Sequence, residues 1–419
     1  MSAPRVGAGL RVLHLGKFYP PASGGIESHV QTLARAQAAQ GAQVEVLCAN
    51  HSMDPGNTSH EFRGSSPTRE EWDGAVRVVR LGRRASVARM DVLPELPGML
   101  RRMLARGVDV VHLHVPNPTM LLALDCVPRL PAVFITHHSD IIRQRVAGAL
   151  FRPLELLLYT RARRILSDSE AYVHGSPLLR MFRSKVRALP LGIDLGPYLQ
   201  PSAEALRAEA HWRQEAGGEP LWLVVGRLVY YKGLFTALEA LTHVPGRLMV
   251  VGVGPLEEEA RARAKVLGVA DRVTWAGYLP PDSLTGAYRA ATALWFPSNA
   301  RSEAYGLSQA EAMACGLPVL NTAIAHSGVP WVSRHEETGL TVPVGDAHAL
   351  ARAARRLVEE PGLAEQLGRG ARARAEAELR HDVMATRSLT LYSEALGRPV
   401  PVVEGPSEVP QRHAASGSA

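Results

Sequence analysis

Short apolar runs rich in valine and leucine recur along this chain, with a helix-length stretch between most of them. "LRVLHL" (10–15), "QVEVLC" (43–48), "VRVVRL" (76–81), "DVVHLH" (109–114) and "AVFIT" (132–136) form a first series. The pattern restarts after "LPLGID" (189–194) with "LWLVVG" (221–226), "RLMVVG" (247–252), "RVTWAG" (272–277), "ALWFPS" (293–298) and "PVLNT" (318–322). Runs of this kind read as strands covered on both faces, and helices between strands imply parallel sheets. Two doubly wound α/β domains are therefore expected, at 1–190 and 191–380, with their strand C-terminal ends turned to a central cleft where ligands of such sheets bind. Residues 346–396 read as helical. A helix at 381–397 is expected to pack back on the first domain, and the Pro- and Ser-rich tail, 398–419, is expected to be disordered. The polar stretch 51–74 has no clear period and reads as a mobile excursion.

Composition narrows the class. With 46% hydrophobic and 21% charged residues, the 419-residue chain is ordinary globular material, long enough for two cores. No apolar run reaches the ~18–20 residues of a membrane span, and the N-terminus shows no secretory signal, so a cytoplasmic protein is expected. Cys48, Cys126 and Cys315 are odd in number and far apart, which argues against a disulfide framework or a metal pair. The net charge of +7 is uneven: residues 1–190 hold 25 Lys and Arg against 15 Asp and Glu, and the remainder 22 against 25. A basic first half fits an anionic partner, such as a membrane face. Nucleic acid is not expected, because no aromatic-interleaved basic ribbon or nucleic-acid motif is present.

Three stretches carry chemistry. In "LWLVVGRLVYYKGL" (221–234), a buried strand ends at Gly226, and Arg227 and Lys232 follow before a helix opens. Two cations at a sheet edge beside a helix N-terminus suit an anion such as a diphosphate. The chain has only four lysines among 47 basic residues, which makes one at this position informative. The plain alternative is a solvated loop with two surface cations. "FPSNARSEAYGLSQAEAMACGLPV" (296–319) holds Glu303 in a loop, then Tyr305, Gly306 and Leu307 at a helix start, then Glu311 about two turns later on a similar side. Free amides at that start suit phosphate, and the carboxylates suit sugar and ribose hydroxyls. The alternative makes Glu311 a surface position and Glu303 a partner of the helix dipole. "YPPASGGIE" (19–27) offers Gly24 and Gly25 for close approach of backbone to a ligand, or else a plain turn. Neither this stretch nor "GVGPLE" (252–257) completes G-x-G-x-x-G, which discounts NAD. In "ITHHSD" (135–140), neighbouring histidines on a strand end point opposite ways. One is expected in the cleft and the other packed behind it. No metal site is expected there, because "HLH" (112–114) sits on a different strand.

Taken together, "YPPASGGIE", "VHLHVPNP", "THHSD", "LPLGID", "GRLVYYKG", "GVGP", "PSNARSEAYGLSQAEAMACGLPV" and "SGVPWVSRHEETGLTVPVGD" resemble the family-4 group of retaining glycosyltransferases over roughly residues 10–380. Glu303 and Glu311 match that family's E-x7-E signature. The resemblance implies the GT-B architecture, two Rossmann-like domains facing a cleft, with the acceptor on the first and the nucleotide-sugar donor on the second. It implies that Arg227 and Lys232 hold the donor diphosphate. Glu303 would contact the donor sugar and Glu311 the ribose; Gly24 and Gly25 would approach the phosphate, and His138 would reach the transferred sugar. Tyr305, Gly306 and Leu307 would complete the donor site. Many relatives carry a glutamate where this chain has Trp331, a variant similar to bacterial polysaccharide enzymes, several of them mannosyltransferases.

The resemblance implies a hexose transfer from a nucleotide diphosphate sugar, with GDP-mannose the leading donor, and no cofactor. The absence of any D-x-D sequence agrees with metal independence. A glycan or lipid-linked acceptor is expected, with peripheral contact to the inner face of an anionic membrane through the basic half and the Arg-flanked apolar segment 143–164. The alternatives are a nucleotide-sugar epimerase of the same fold, which would turn over donor alone, and a non-catalytic sugar-nucleotide binding protein.

Overall fold

The computed structural model describes residues 6–22, 24–51, 65–87, 90–140 and 145–399. In the first half the strands are β1 (Arg11–Leu15), β2 (Gln43–Ala49), β3 (Arg69–Asp73), β4 (Val76–Leu81), β5 (Ala85–Val87), β6 (Met90–Val92), β7 (Val110–Val115), β8 (Ala132–His137), β9 (Arg164–Ser167) and β10 (Val186–Ala188). β5 and β6 pair as a separate antiparallel ribbon. The other eight form one sheet in the order β10-β9-β8-β7-β1-β2-β4-β3, parallel except at the edge strand β3. In the second half β11 (Leu221–Val225), β12 (Arg247–Val251), β13 (Val273–Gly277), β14 (Ala293–Phe296), β15 (Val319–Thr322) and β16 (Gly339–Val342) form a parallel sheet in the order β13-β12-β11-β14-β15-β16. Strand order reverses about β1 in the first sheet and about β11 in the second, and such switch points open crevices at the strand C-terminal ends.

The central strands are covered on both faces. Every residue of β7 is buried, and so are four of the five in β1. Leu13, Leu113 and Ile135 pack on one side of the first sheet, while Val12, Val110 and Phe134 pack on the other. The expected α/β class and paired Rossmann-like architecture are what the chain adopts. The polar stretch 51–74 is corrected in part: its end, Arg69–Asp73, is the edge strand β3, paired with β4. Residues 52–64 of that stretch, and the tail from 400 onward, lie outside the described residues.

Two connections cross between the domains side by side. The Ile193 amide donates to Leu379 O at 2.8 Å, and the His381 amide donates to Ile193 O at 3.0 Å. A Cβ at Gly192 would come within 2.3 Å of Arg380 O, so only glycine lets the two backbones lie this close. The helix that follows, His381–Leu396, buries Met384, Leu389 and Tyr392 in one core with Val30 and Leu33 of the first domain. No helix among the described residues is long and apolar enough to cross a membrane.

Candidate active site

The second sheet supplies a cation at a strand end. β11 gives way to Gly226 with φ 141°, where a Cβ would sit 3.2 Å from Lys232 Cε and Nζ. Without that Cβ the lysine folds back over the strand terminus. Lys232 ends a short 3₁₀ turn, and Gly233, at φ 69°, starts the helix Leu234–Leu241. The ammonium lies 2.6 Å from Glu303 Oε2 and 5.1 Å from the centre of the Phe296 ring. Burial works against this charge, but the Glu303 carboxylate outweighs it and holds the lysine pKa above its ordinary value. Ser298 Oγ donates to Glu303 Oε2 at 3.3 Å, and Ser327 Oγ donates to the Glu303 carbonyl at 2.6 Å. The loop carboxylate is thus aimed rather than free.

Glu311 sits on the helix Leu307–Ala314, where Tyr288 Oη donates to its Oε2 at 2.7 Å. Burial pushes this carboxyl up, while the tyrosine bond and the Lys232 charge pull it back, which sets Glu311 and Lys232 in one field. Gly306 opens the helix at φ 84°, and a Cβ there would meet Phe296 Cζ at 2.4 Å. The first amides of the helix have no intrahelical partner. Tyr305 contributes differently from a ligand contact through its phenol: the ring is buried and its Oη donates to Leu191 O at 2.9 Å, tying the loop to the interdomain connection.

The first domain closes the other side. A Cβ on Gly25 would stand 4.0 Å from Leu307 Cδ1 of the second domain, and one on Gly24 would lie 2.1 Å from Glu27 Oε2. Glu27 is buried, and burial raises its carboxyl, whereas Lys17 and Arg227 pull it down. Arg227 therefore acts across the cleft on a first-domain carboxylate. Gly24, Gly25, Arg227, Lys232, Glu303, Gly306, Leu307 and Glu311 come together at the facing strand ends. A small recess lined by Gly226, Arg227, Lys232 and Phe296 to Ser298 opens there. In the sequence Glu27 gives no distinguishing signal, because a first-turn acid reads as a dipole partner.

His138 lies in a buried row of side chains. Both histidines of the pair are buried, and His137 is held by Tyr159 Oη at 2.7 Å and Asp140 Oδ1 at 3.1 Å. The ring of His138 faces His114 through Nε2, at 3.2 Å, and Asp168 through Nδ1, at 3.7 Å. Placing "HLH" apart from the pair is also corrected. β7 lies between β1 and β8, with His14 opposite His112, so His14, His112, His114 and His138 form one buried row that His29 joins edge-on. Two trios, His14–His112–His114 and His29–His114–His138, have ring nitrogens within 4.8 Å of one another, the spacing of a candidate cation site. Burial lowers the pKa of all five rings.

His29 is the unsatisfied member, with neither ring nitrogen bonded. Burial and the nearby His14 push its pKa down to about 3. Above pH 6.5 neither the folded nor the unfolded chain protonates it. As pH falls below 6.5 the unfolded chain takes a proton that the folded chain refuses, so stability is lost down to about pH 3. His29→Phe is expected to be more stable than the parent by about 1–3 kcal/mol at pH 7.5, because a buried unpaired polar group is gone. The advantage should widen by about 2 kcal/mol at pH 5. Urea unfolding at the two pH values checks this, and a constant difference would refute it.

A second link spans the domains beside Glu303. Arg301 bonds Asp140 Oδ2 at 3.1 Å and Gly175 O at 2.8 Å, and its guanidinium stacks 4.5 Å from the Tyr172 ring centre. Burial pushes Asp140 up, but His137, Ser176 and Arg301 together hold it at about 2. The loop that presents Glu303 is therefore anchored to the first domain on one side.

Known proteins match the chain over most of its length. Residues 207–374 match the family model described as glycosyl transferases group 1, and residues 23–196 match that of glycosyltransferase family 4. A D-rhamnosyltransferase, WbpZ of Pseudomonas aeruginosa, is 34% identical over 87% of this chain and 91% of its own. The O-antigen chain mannosyltransferase C of Escherichia coli is 27% identical over 92% and 99%. Among solved structures, sucrose-phosphate synthase from Thermosynechococcus elongatus superposes with a TM-score of 0.71 at 24% identity, covering 93% of this chain and 99% of that one.

Proposed function

Because this chain belongs to the family-4 glycosyltransferases and has their GT-B fold, we propose that it moves a hexose from a nucleotide diphosphate sugar to a hydroxyl acceptor with retention of anomeric configuration. The observation that carries this reading is the Lys232–Glu303 pair at the end of β11, with Glu311 in the same field and Arg227 facing the first domain. On this reading residues 191–380 take the donor and residues 1–190 the acceptor. Departure of the nucleoside diphosphate builds negative charge on its leaving oxygen. Arg227, Lys232 and the helix-start amides at Gly306 and Leu307 stabilise that charge, with no divalent metal required. Glu303 contacts the donor sugar, Glu311 takes the ribose hydroxyls, and Gly24 and Gly25 leave room for the phosphate. His138 supports the sugar as positive charge develops at its anomeric carbon. The leaving phosphate accepts the acceptor's proton as attack comes from the same face.

The leading donor is GDP-mannose. Support comes from relatives named as rhamnosyl- and mannosyltransferases, since D-rhamnose and mannose share the manno configuration. A lipid-linked glycan of cell-surface polysaccharide synthesis is the proposed acceptor, with the enzyme lying against an anionic leaflet. The O-antigen relative and the basic surplus of the first 190 residues support this. Thermal unfolding with GDP-, UDP-, ADP- and dTDP-sugars tests the donor. GDP-mannose at a hundred times its Kd should stabilise the protein by about 2.7 kcal/mol. If no nucleotide sugar raises the midpoint, the donor site as described is wrong.

A further inference from the structure

We propose that Gln37, fully buried between the first domain's leading helix and the last helix of the chain, is a positioning residue that decides which nitrogen of His138 carries the ring proton. It acts through His14 and His114. The inference rests on the reading of His138 as a sugar-contacting residue.

The direction of the chain follows from counting protons. Ser388 Oγ donates its single proton to Ala385 O at 2.7 Å. The Gln37 atom 2.8 Å from that oxygen must therefore be the amide nitrogen, which also reaches Tyr392 Oη at 3.1 Å. The amide oxygen is left facing His14 Nε2 at 2.8 Å, so that nitrogen carries a hydrogen. Burial keeps the His14 ring neutral, with a pKa of about 4, so its Nδ1 is a bare lone pair. His114 Nε2 lies 3.0 Å from that lone pair and must be the donor. Its own Nδ1 then accepts from His138 Nε2, 3.2 Å away. His138 is thereby fixed as the Nε2–H tautomer, with Nδ1 unprotonated and turned to Asp168 Oδ1 at 3.7 Å. Asp168 is buried, burial raises its carboxyl well above the usual range, and its Oδ1 has no hydrogen bond.

A side branch agrees. Tyr392 accepts from Gln37 and so donates to His112 Nδ1 at 2.6 Å, which leaves His112 Nε2 to donate to Thr136 Oγ1 at 2.6 Å. Each histidine-to-histidine contact along the row needs one N–H and one lone pair. A cation between His29, His114 and His138 would need lone pairs from all of them, so the two arrangements exclude each other. The last helix crosses back from the second domain, and its Ser388 fixes the amide at the head of the row. The His138 tautomer therefore depends on that helix being docked.

Spectra of the full-length protein carrying ¹⁵N-histidine, with His138→Gln used for assignment, read the tautomer directly. The parent should show His138 protonated at Nε2 and bare at Nδ1. Gln37→Met, which keeps volume but removes the acceptor, should give a tautomer mixture. It should also lower kcat by about tenfold, the worth of one net hydrogen bond, with donor KM within about twofold. An Nδ1–H tautomer in the parent, an unchanged tautomer in Gln37→Met, or stoichiometric zinc in the purified protein would overturn the proposal. The parent spectrum decides the first of these even if Gln37→Met does not fold. Full turnover in His138→Ala with the row's spectra intact would overturn the link to turnover by removing the sugar-contact reading, and would be distinguishable from failure of the row.

Discussion

Lys232→Met should lower kcat/KM by about two to three orders of magnitude, the loss seen when one preorganised charge-stabilising donor is removed. The reason is geometric. The ammonium folds back over the end of a buried strand, is pinned at 2.6 Å by Glu303, and lies against the recess proposed for the diphosphate. Removing it also strands a carboxylate that is only 8% exposed, so some stability is lost as well. The double variant Lys232→Met/Glu303→Gln separates the two effects. Neutralising the stranded acid should recover much of the stability, while turnover stays low. Parental turnover in purified Lys232→Met would remove this lysine from the chemistry.

Gly233→Ala should be among the most damaging single methyl groups in the second domain. The residue sits at φ 69°, and a Cβ there would lie 1.9 Å from Pro297 O, which is backbone and cannot swing aside. Left-handed strain and forced displacement together should cost about 3–5 kcal/mol, a large part of the stability of an ordinary domain. The shift would also push apart Lys232 and the Pro297–Ser298 strand exit, so activity should fall along with stability. Gly217→Ala is the control: its φ is 61° but nothing lies within 4 Å of the new methyl, so only the strain of about 1–2 kcal/mol applies. Equal urea midpoints for the two variants would show that the Pro297 contact does not matter.

Much of the scaffold is legible before any coordinates. A strand covered on both faces, such as "LWLVV", announces itself through an unbroken apolar run, and the second such series marks a second sheet. Some short strands escape this signal: β9, β10 and β16 have three or four residues each, although β14 and β15, just as short, stand out by their apolar runs. β3 escapes for another reason, since an exposed antiparallel edge of Arg, Glu and Trp carries no apolar run. At the site, spacing along one segment foretold that Glu303 and Glu311 would share a region, because both ride on one loop and helix. The histidine row was not legible. His14 and His112 are neighbours only because β1 inserts between β2 and β7, and that order is a property of the sheet, not of any window of residues. The direction of the Tyr305 phenol was hidden for the same reason: its partner, Leu191 O, is more than a hundred residues away.

The side-by-side crossings at Ile193 and Leu379–His381 reduce how the two halves can move. A single tether would let them twist, slide and yaw, whereas a bonded double spine at one margin leaves essentially one soft coordinate, rotation about its own axis. The Arg301–Asp140 bond adds a further tie between the halves, on the same loop whose Tyr305 phenol reaches Leu191 O beside the crossings, so opening about that axis must break it.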